Sequence, residues 1–353
     1  MTILAIDLGK YNSVACYYDS ANQSSRFRTL RTTPAEVQQL LLREPVTLVV
    51  IEAGSSSGWI ADLCESLNIT VAVANTSGEA WKWKNVKRKT DKDDACKLAK
   101  LAAMGELPTV PMPPKSVREW KRLIHFRKRL VGERVRAQNR IRAVLVSEGL
   151  PAPMGSKAWT ELGLAGLAAL ARPLSECEPG QLWRGELHLL LERYQALVSH
   201  VELVESKLDA LAGADARVAL LETIPGVGTR TAEVVVSHLN DATRFRSADE
   251  VSAYAGMVPQ QYQSGASDRR GRCTRRGPAL LRSALVEAAW CCLRYNPWAQ
   301  KHWKRLTETN GVSRKKAAVA LGRKLLVRCW GMLKSGQRWK NPEGLSVATA
   351  STG

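Results

Sequence analysis

A chain of 353 residues has room for two or three domains, each with its own core, and an apolar fraction of 45% removes wholesale disorder from consideration. Its 52 Lys/Arg against 33 Asp/Glu leave a net charge of +19, which points to a polyanionic partner. The eight cysteines are scattered, with no CxxC pair or matching histidine spacing, which argues against zinc and fits a reducing compartment. The opening residues lack a secretory pattern and no uncharged run is about 18 residues long, so a cytoplasmic protein with no membrane partner is expected.

The charge is uneven. Residues 1–80 hold five Lys/Arg and eight Asp/Glu, net −3, whereas the remainder holds 47 and 25, net +22. A low-charge catalytic unit followed by nucleic-acid-binding parts is the expectation. Ile3–Leu8, Ser13–Tyr18 and Ser25–Leu30 are strand-like runs separated by turn residues, a three-strand meander. A short helix follows over Pro34–Leu42, begun by Thr33-Pro34. Val46–Ile51 predicts a buried strand ending on Glu52, Ser57–Leu67 a helix and Ile69–Ala74 another strand. The order β-β-β-α-β-α-β is that of the ribonuclease-H-like α/β fold, in which the first and fourth strands are neighbours. Asp7 and Glu52 would then project close together.

Residues 79–89 alternate rings and cations: Trp81 and Trp83 with Lys87, Arg88 and Lys89. That pattern suits a nucleic-acid contact through stacking and phosphate neutralisation, or equally a solvated connector with one ring in the core. A helix over Asp91–Met104 precedes a Pro-rich linker. Val117–Val146 predicts a long basic helix, with eleven Lys/Arg in residues 115–142. After an irregular stretch, Leu187, Leu190, Tyr194, Leu197, Val201, Val204, Leu208 and Leu211 form a heptad stripe. It predicts either a hairpin with the preceding helix or a dimer seam. The final part, 216 to about 340, reads as mainly helical, and the tail 341–353 as disordered.

Three constellations carry chemistry. Asp7, Glu52, Asp91 and Asp94 are four carboxylates from three elements, and Asp91 and Asp94 share a helix face. Hard oxygen donors of this kind suit Mg²⁺ or Mn²⁺. Each acid alone also has a bland reading, Asp91 as an N-cap and Glu52 as a surface residue. Asp93 and Asp62 should face elsewhere. Ile224-Pro225-Gly226-Val227-Gly228 sets two glycines before a helix; it is either a helix-hairpin-helix-like phosphate seat or a plain helix–helix turn. Ser264, in a Gln/Ser/Gly loop, stands just before Arg269, Arg270, Arg272, Arg275 and Arg276, which could clamp phosphate oxygens.

Together the motifs Ile6-Asp7-Leu8-Gly9, Glu52-Ala53, Lys89-Thr90-Asp91-x-x-Asp94-Ala95, Ile224-Pro225-Gly226-Val227-Gly228, Tyr254-Ala255-Gly256 with Pro259, and Gln263-Ser264-Gly265 resemble the DEDD transposases of bacterial insertion sequences. That family is related to the Piv-type DNA invertases and includes the bridge-RNA-guided recombinases. Met257 stands where its members often carry leucine, a nearly isosteric change. The resemblance implies a RuvC-like (Holliday-junction-resolvase-like) metal site at Asp7, Glu52, Asp91 and Asp94, with Ser264 as nucleophile. It also implies donor and target DNA and a non-coding bridge RNA as partners, and since strand exchange must hold two duplexes, a homodimer assembling to a tetramer is expected.

The expected domains are a RuvC-like metal-binding domain over 1–108, a basic and coiled-coil helical region over 115–215, and a C-terminal transposase domain over 216–340. Two other functions fit some of the same residues. A junction-resolving nuclease would use water, with Ser264 a bystander. A catalytically silent nucleic-acid scaffold would need only the hairpin and the basic helices.

Overall fold

Five strands from the first 75 residues form one mixed sheet in the order β3-β2-β1-β4-β5. They are β1 (Thr2–Asp7), β2 (Asn12–Asp19), β3 (Ser24–Arg31), β4 (Leu48–Glu52) and β5 (Val71–Ala74). β1 runs antiparallel to β2 and parallel to β4, with Ile6 level with Ile51. The period of two along these apolar runs divides the core. Leu4, Ile6, Val49 and Ile51 pack with Val37, Leu40 and Leu41 of α1 (Pro34–Leu42) and Ile60 and Cys64 of α2 (Ser57–Ser66). Ile3, Ala5 and Val50 pack with Ala95, Leu98 and Ala99 of α3 (Asp91–Ala103) on the other face. β3 is an edge strand, and its exposed arginines discourage pairing with another chain.

In this computed structural model the chain divides into two compact units, Met1–Arg118 and Glu119–Gly353. The structure describes residues 1–75, 90–152, 154–264 and 267–340, with the backbone alone for 262–264 and 267–270. Trp81, Trp83, Lys87, Arg88 and Lys89, and the expected disordered tail 341–353, lie outside the described residues.

The second unit is mainly helical. Two long helices, α4 (Lys115–Ser147) and α6 (Leu182–Gly213), lie antiparallel, since Arg127 pairs with Glu205 while Arg136 and Arg140 line a small cavity with Leu190 and Arg193. Between them α5 (Glu161–Leu170) forms in the stretch expected to be irregular; Thr160 accepts from the Gly163 amide at its start. The heptad stripe from Leu187 to Leu208 is buried in the chain's own core, so of the two readings the intramolecular hairpin holds. The seam reading fails because its apolar face is already covered.

That core runs without a break from Trp120 to Met332, so the helical middle and the C-terminal part, expected as separate domains, share one hydrophobic cluster. Its further elements are α7 (Ala216–Glu222), α8 (Thr229–Leu239), α9 (Ala248–Tyr254), α10 (Ala279–Tyr295), α11 (Pro297–Lys304) and α12 (Arg314–Ser335). α11 continues as a π-helical turn over Arg305–Thr309. The stretch around Ser264, expected to be a loop, is instead an antiparallel ribbon of β6 (Pro259–Ser264) and β7 (Ser267–Cys273). Its polar sequence, PQQYQS and SDRRGRC, carries no apolar alternation to read.

Candidate active site and nucleic-acid interface

Asp7 and Glu52 end neighbouring parallel strands, one residue beyond the Ile6–Ile51 register pair. Counting by twos from Ile3 and Ala5, and from Val50, puts both acids on the sheet face that α3 covers. α3 runs antiparallel to β1. Lys92 reaches the Phe27 ring, level with Ala5, while Cys96 meets Ser25, level with Ile3, so the first turn of α3 lies toward the Asp7 end. Asp91 and Asp94 stand in that first turn. All four acids thus belong to one layer and one end of the first unit. Gly9 makes the return from β1 to β2 possible: a Cβ there would come within 2.0 Å of the Asn12 carbonyl oxygen.

The helix start separates the acids by role. Thr90 is the N-cap of α3, and Asp93 completes a capping box, accepting from the Thr90 amide at 3.1 Å and its hydroxyl at 2.6 Å. Asp91 is therefore the first helical residue, not the cap, and is exposed; Asp94 is only 8% exposed. Asp62 is engaged by Arg118. The helix dipole favours acids at this end of α3.

Four carboxylates are a donor set chemically suited to Mg²⁺ or Mn²⁺. Among the described residues, however, no three His, Cys, Asp or Glu side chains stand close enough together to hold a metal ion. The four acids suit such an ion by ligand type and stand toward the same end of β1, β4 and α3, but no three of them gather into a cluster.

In the second unit, Ile224 to Gly228 joins α7 to α8. Gly226 has φ +92°, and a Cβ on it would lie 2.6 Å from Cys292 Cα, so its glycine is required by close packing on α10. Gly228 is the N-cap of α8, with φ −98° and open space where a Cβ would stand. The two glycines therefore differ: one is a packing contact, and only the other faces room for a ligand.

Ser264 lies at the end of β6, opposite Ser267, with Arg269 level with Tyr262 and Arg270 level with Gln261. Arg272, Arg275 and Arg276 are exposed. The ribbon's root is a latch that sequence reading did not identify. A Cβ on Gly256 would meet the Arg276 carbonyl at 2.5 Å, and one on Gly277 the Tyr254 carbonyl at 2.1 Å. Arg282 closes the latch by donating to the carbonyls of Ala255 at 3.1 Å and Gly277 at 2.8 Å. Tyr254-Ala255-Gly256 is thus the socket of the ribbon. The Gly277-Pro278 dipeptide was the available signal for a backbone constraint there.

Two family models match. One described as "Transposase", a DEDD transposase model of the IS110 type, covers residues 4–148, and one described as "Transposase IS116/IS110/IS902 family" covers residues 218–304. A transposase for insertion sequence element IS1111A from Coxiella burnetii is 28% identical over 346 residues, covering 96% of this chain and 91% of that protein. A transposase for insertion sequence element IS1328 from Yersinia enterocolitica is 28% identical over 82% of this chain and 83% of its own length. The pilin gene-inverting protein of Moraxella bovis is 33% identical over 123 residues, 34% of this chain and 38% of that protein.

Proposed function

The chain belongs to the IS116/IS110/IS902 family of DEDD transposases and is a DNA transposase, and from that premise we propose that it cuts and rejoins DNA strands through a covalent bond to Ser264. The oxygen Oγ of Ser264 attacks a scissile phosphate; the Oγ–P bond forms and the P–O3′ bond breaks. The serine proton is lost and the departing 3′-oxygen gains one, leaving a 3′-hydroxyl and a 5′-phosphoserine. The phosphodiester is conserved through the exchange, so rejoining needs no nucleotide triphosphate.

Asp7, Glu52, Asp91 and Asp94 would hold Mg²⁺ or Mn²⁺, which when bound polarises the phosphate and steadies its leaving oxygen. The observation that supports this reading is that Asp7 and Glu52 end neighbouring strands on the sheet face that α3 covers, with Asp91 and Asp94 in the first turn of that helix at the same end. Arg269, Arg270, Arg272, Arg275 and Arg276 hold the DNA backbone near Ser264; support comes from their position on β7 and just after it. Gly228 at the start of α8 offers a further phosphate contact, while Gly226 serves packing. Trp81, Trp83, Lys87, Arg88 and Lys89 are assigned to nucleic acid on their alternation of rings and cations.

Strand exchange holds two duplexes, so a homodimer assembling to a tetramer on donor and target DNA is proposed, with a non-coding bridge RNA selecting the sites by base pairing. The protein works in the cytoplasm, on the nucleoid when bound to DNA. A single assay tests the core of this reading. Purified protein with its co-purified RNA is incubated with labelled DNA and Mg²⁺, denatured, and examined for DNA attached to protein at Ser264. Ser264→Ala should lose every covalent product, and Asp7→Ala should lose it too. Continued cutting by Ser264→Ala would instead identify a nuclease that uses water. Binding without any cleavage, indifferent to Mg²⁺ and to Asp7→Ala, would identify a scaffold.

A further inference from the structure

A cleft of about 640 Å³ opens in the second unit, between α11, α12 and the segment that follows α12 as far as Lys340. None of the function proposed above uses it. Three indoles line it. Trp298 and Trp339 meet edge to face with ring centroids 5.5 Å apart. Trp330 is fixed by its Nε1–H, which donates to the Ala242 carbonyl at 2.8 Å. The Trp339 amide donates to Thr223 Oγ1 at 3.0 Å, which secures the terminal segment against the body of the unit.

Cations supply the rest of the lining. Arg323, Lys324 and Arg328 come from neighbouring turns of α12, and Arg338 and Lys340 from the terminal segment. Among the described residues, no aspartate or glutamate lines the cleft; Asp249, itself exposed, pairs with Arg323 at 3.5 Å from outside it. Burial and the nearby guanidinium groups of Arg305, Arg323 and Arg328 lower the basicity of the Lys324 ammonium. The cations repel one another here, and an anion between them would relieve that repulsion.

Rings and cations together narrow the ligand. A duplex hides its base faces and would meet the cations alone, whereas a lone inorganic anion would leave the half-exposed Trp330 and Trp339 rings unused. An unpaired nucleotide offers both a phosphate and a bare π-face. The volume lies within the range of small-ligand pockets, where one unstacked nucleotide fits. We propose that this cleft seats an unpaired nucleotide of single-stranded nucleic acid, its phosphate on Lys324 and Arg328 and its base against Trp339. The site is independent of Ser264 and requires no cleavage.

The test uses the full chain, at elevated salt to suppress purely ionic binding. A short labelled oligodeoxythymidylate, its oligouridylate counterpart and a duplex of equal length are compared by fluorescence anisotropy. Trp339→Leu should weaken the single strands about tenfold while Trp339→Phe keeps most of the affinity. The double variant Lys324→Gln/Arg328→Gln alters exposed or half-exposed side chains and so should fold. It should lower the slope of log affinity against log salt by about 0.7, for the one phosphate the two cations share. Stronger binding of the deoxy strand would identify a DNA strand as the occupant, and stronger binding of the ribo strand an RNA; either supports the site. Single-strand affinity unchanged in both the tryptophan and the charge variants, or a duplex held as tightly as the single strands and as sensitive to Trp339→Leu, would overturn it.

Discussion

Asp91, Asp93 and Asp94 show how neighbouring acids acquire different work. Asp93 turns back to cap its own helix, while Asp91 and Asp94 keep the helix face that packs toward the sheet. Asp93→Ala should therefore cost up to about 1 kcal/mol of stability through the lost reciprocal half of the capping box, read as a lower urea midpoint, and still form the covalent DNA adduct. Asp91→Asn should do the reverse, folding normally and forming no adduct. A second residue makes a prediction about pH. His238 is only 2% exposed, and burial, with Lys121 and then His125 as cationic or titratable neighbours, pushes it down to about 3. Its folded pKa is below the ordinary histidine value, so the unfolded chain takes up the proton first as pH falls. The stability it contributes is whole above about pH 6.5 and drains away toward pH 3. Between pH 7 and pH 5 the wild type should lose about 2 kcal/mol more than His238→Leu, measured by chemical denaturation.

Among the elements, the joint between α7 and α8 and the ribbon root are the places where backbone shape is decisive. Gly226 presses on the backbone of α10 with a positive φ, and Gly228 does neither. Gly226→Ala should destabilise by more than about 2 kcal/mol, because it is strained in φ and blocked by backbone atoms that cannot rotate away. Gly228→Ala should stay within about 1 kcal/mol. Denaturation midpoints of the two variants side by side check this, and equal losses would remove the distinction between the two glycines. The Tyr254-Ala255-Gly256 motif was legible as a motif, but not as a socket. Its partner, Gly277, lies 21 positions away from Gly256 in the chain, and only the folded backbone brings them together.

For the molecule as a whole, the heptad stripe asks whether a sequence pattern builds the fold or the assembly. Leu197 and Val201 are 6% and 3% exposed within a single chain. Leu197→Ala and Val201→Ala should each cost about 2–4 kcal/mol, with an unfolding midpoint shift independent of protein concentration. A shift that grew on dilution would return the helix to a dimer seam. Among the described residues no helix is long and apolar enough to cross a membrane. The positive charge beyond residue 80 makes nucleic-acid binding strongly salt-dependent, whichever elements carry it.

The first unit was legible almost strand by strand because β1 and β4 are apolar, β-branched runs that end on acids, and that pattern reports burial directly. Composition and charge alone also pointed to a polyanionic partner. Three things depended on the tertiary structure. The ribbon carrying Ser264 is polar on both strands, so its pairing leaves no periodic trace in the residues. The heptad stripe has the same spacing whether its partner is α4 or another chain, and only packing chose α4. The tryptophan and basic residues of the α12 cleft stand up to 42 positions apart, from Trp298 to Lys340, so no local window of sequence sees them as a group. Local physics writes periodicity and end signals into a sequence, while contacts between distant segments are set by the packing of whole elements.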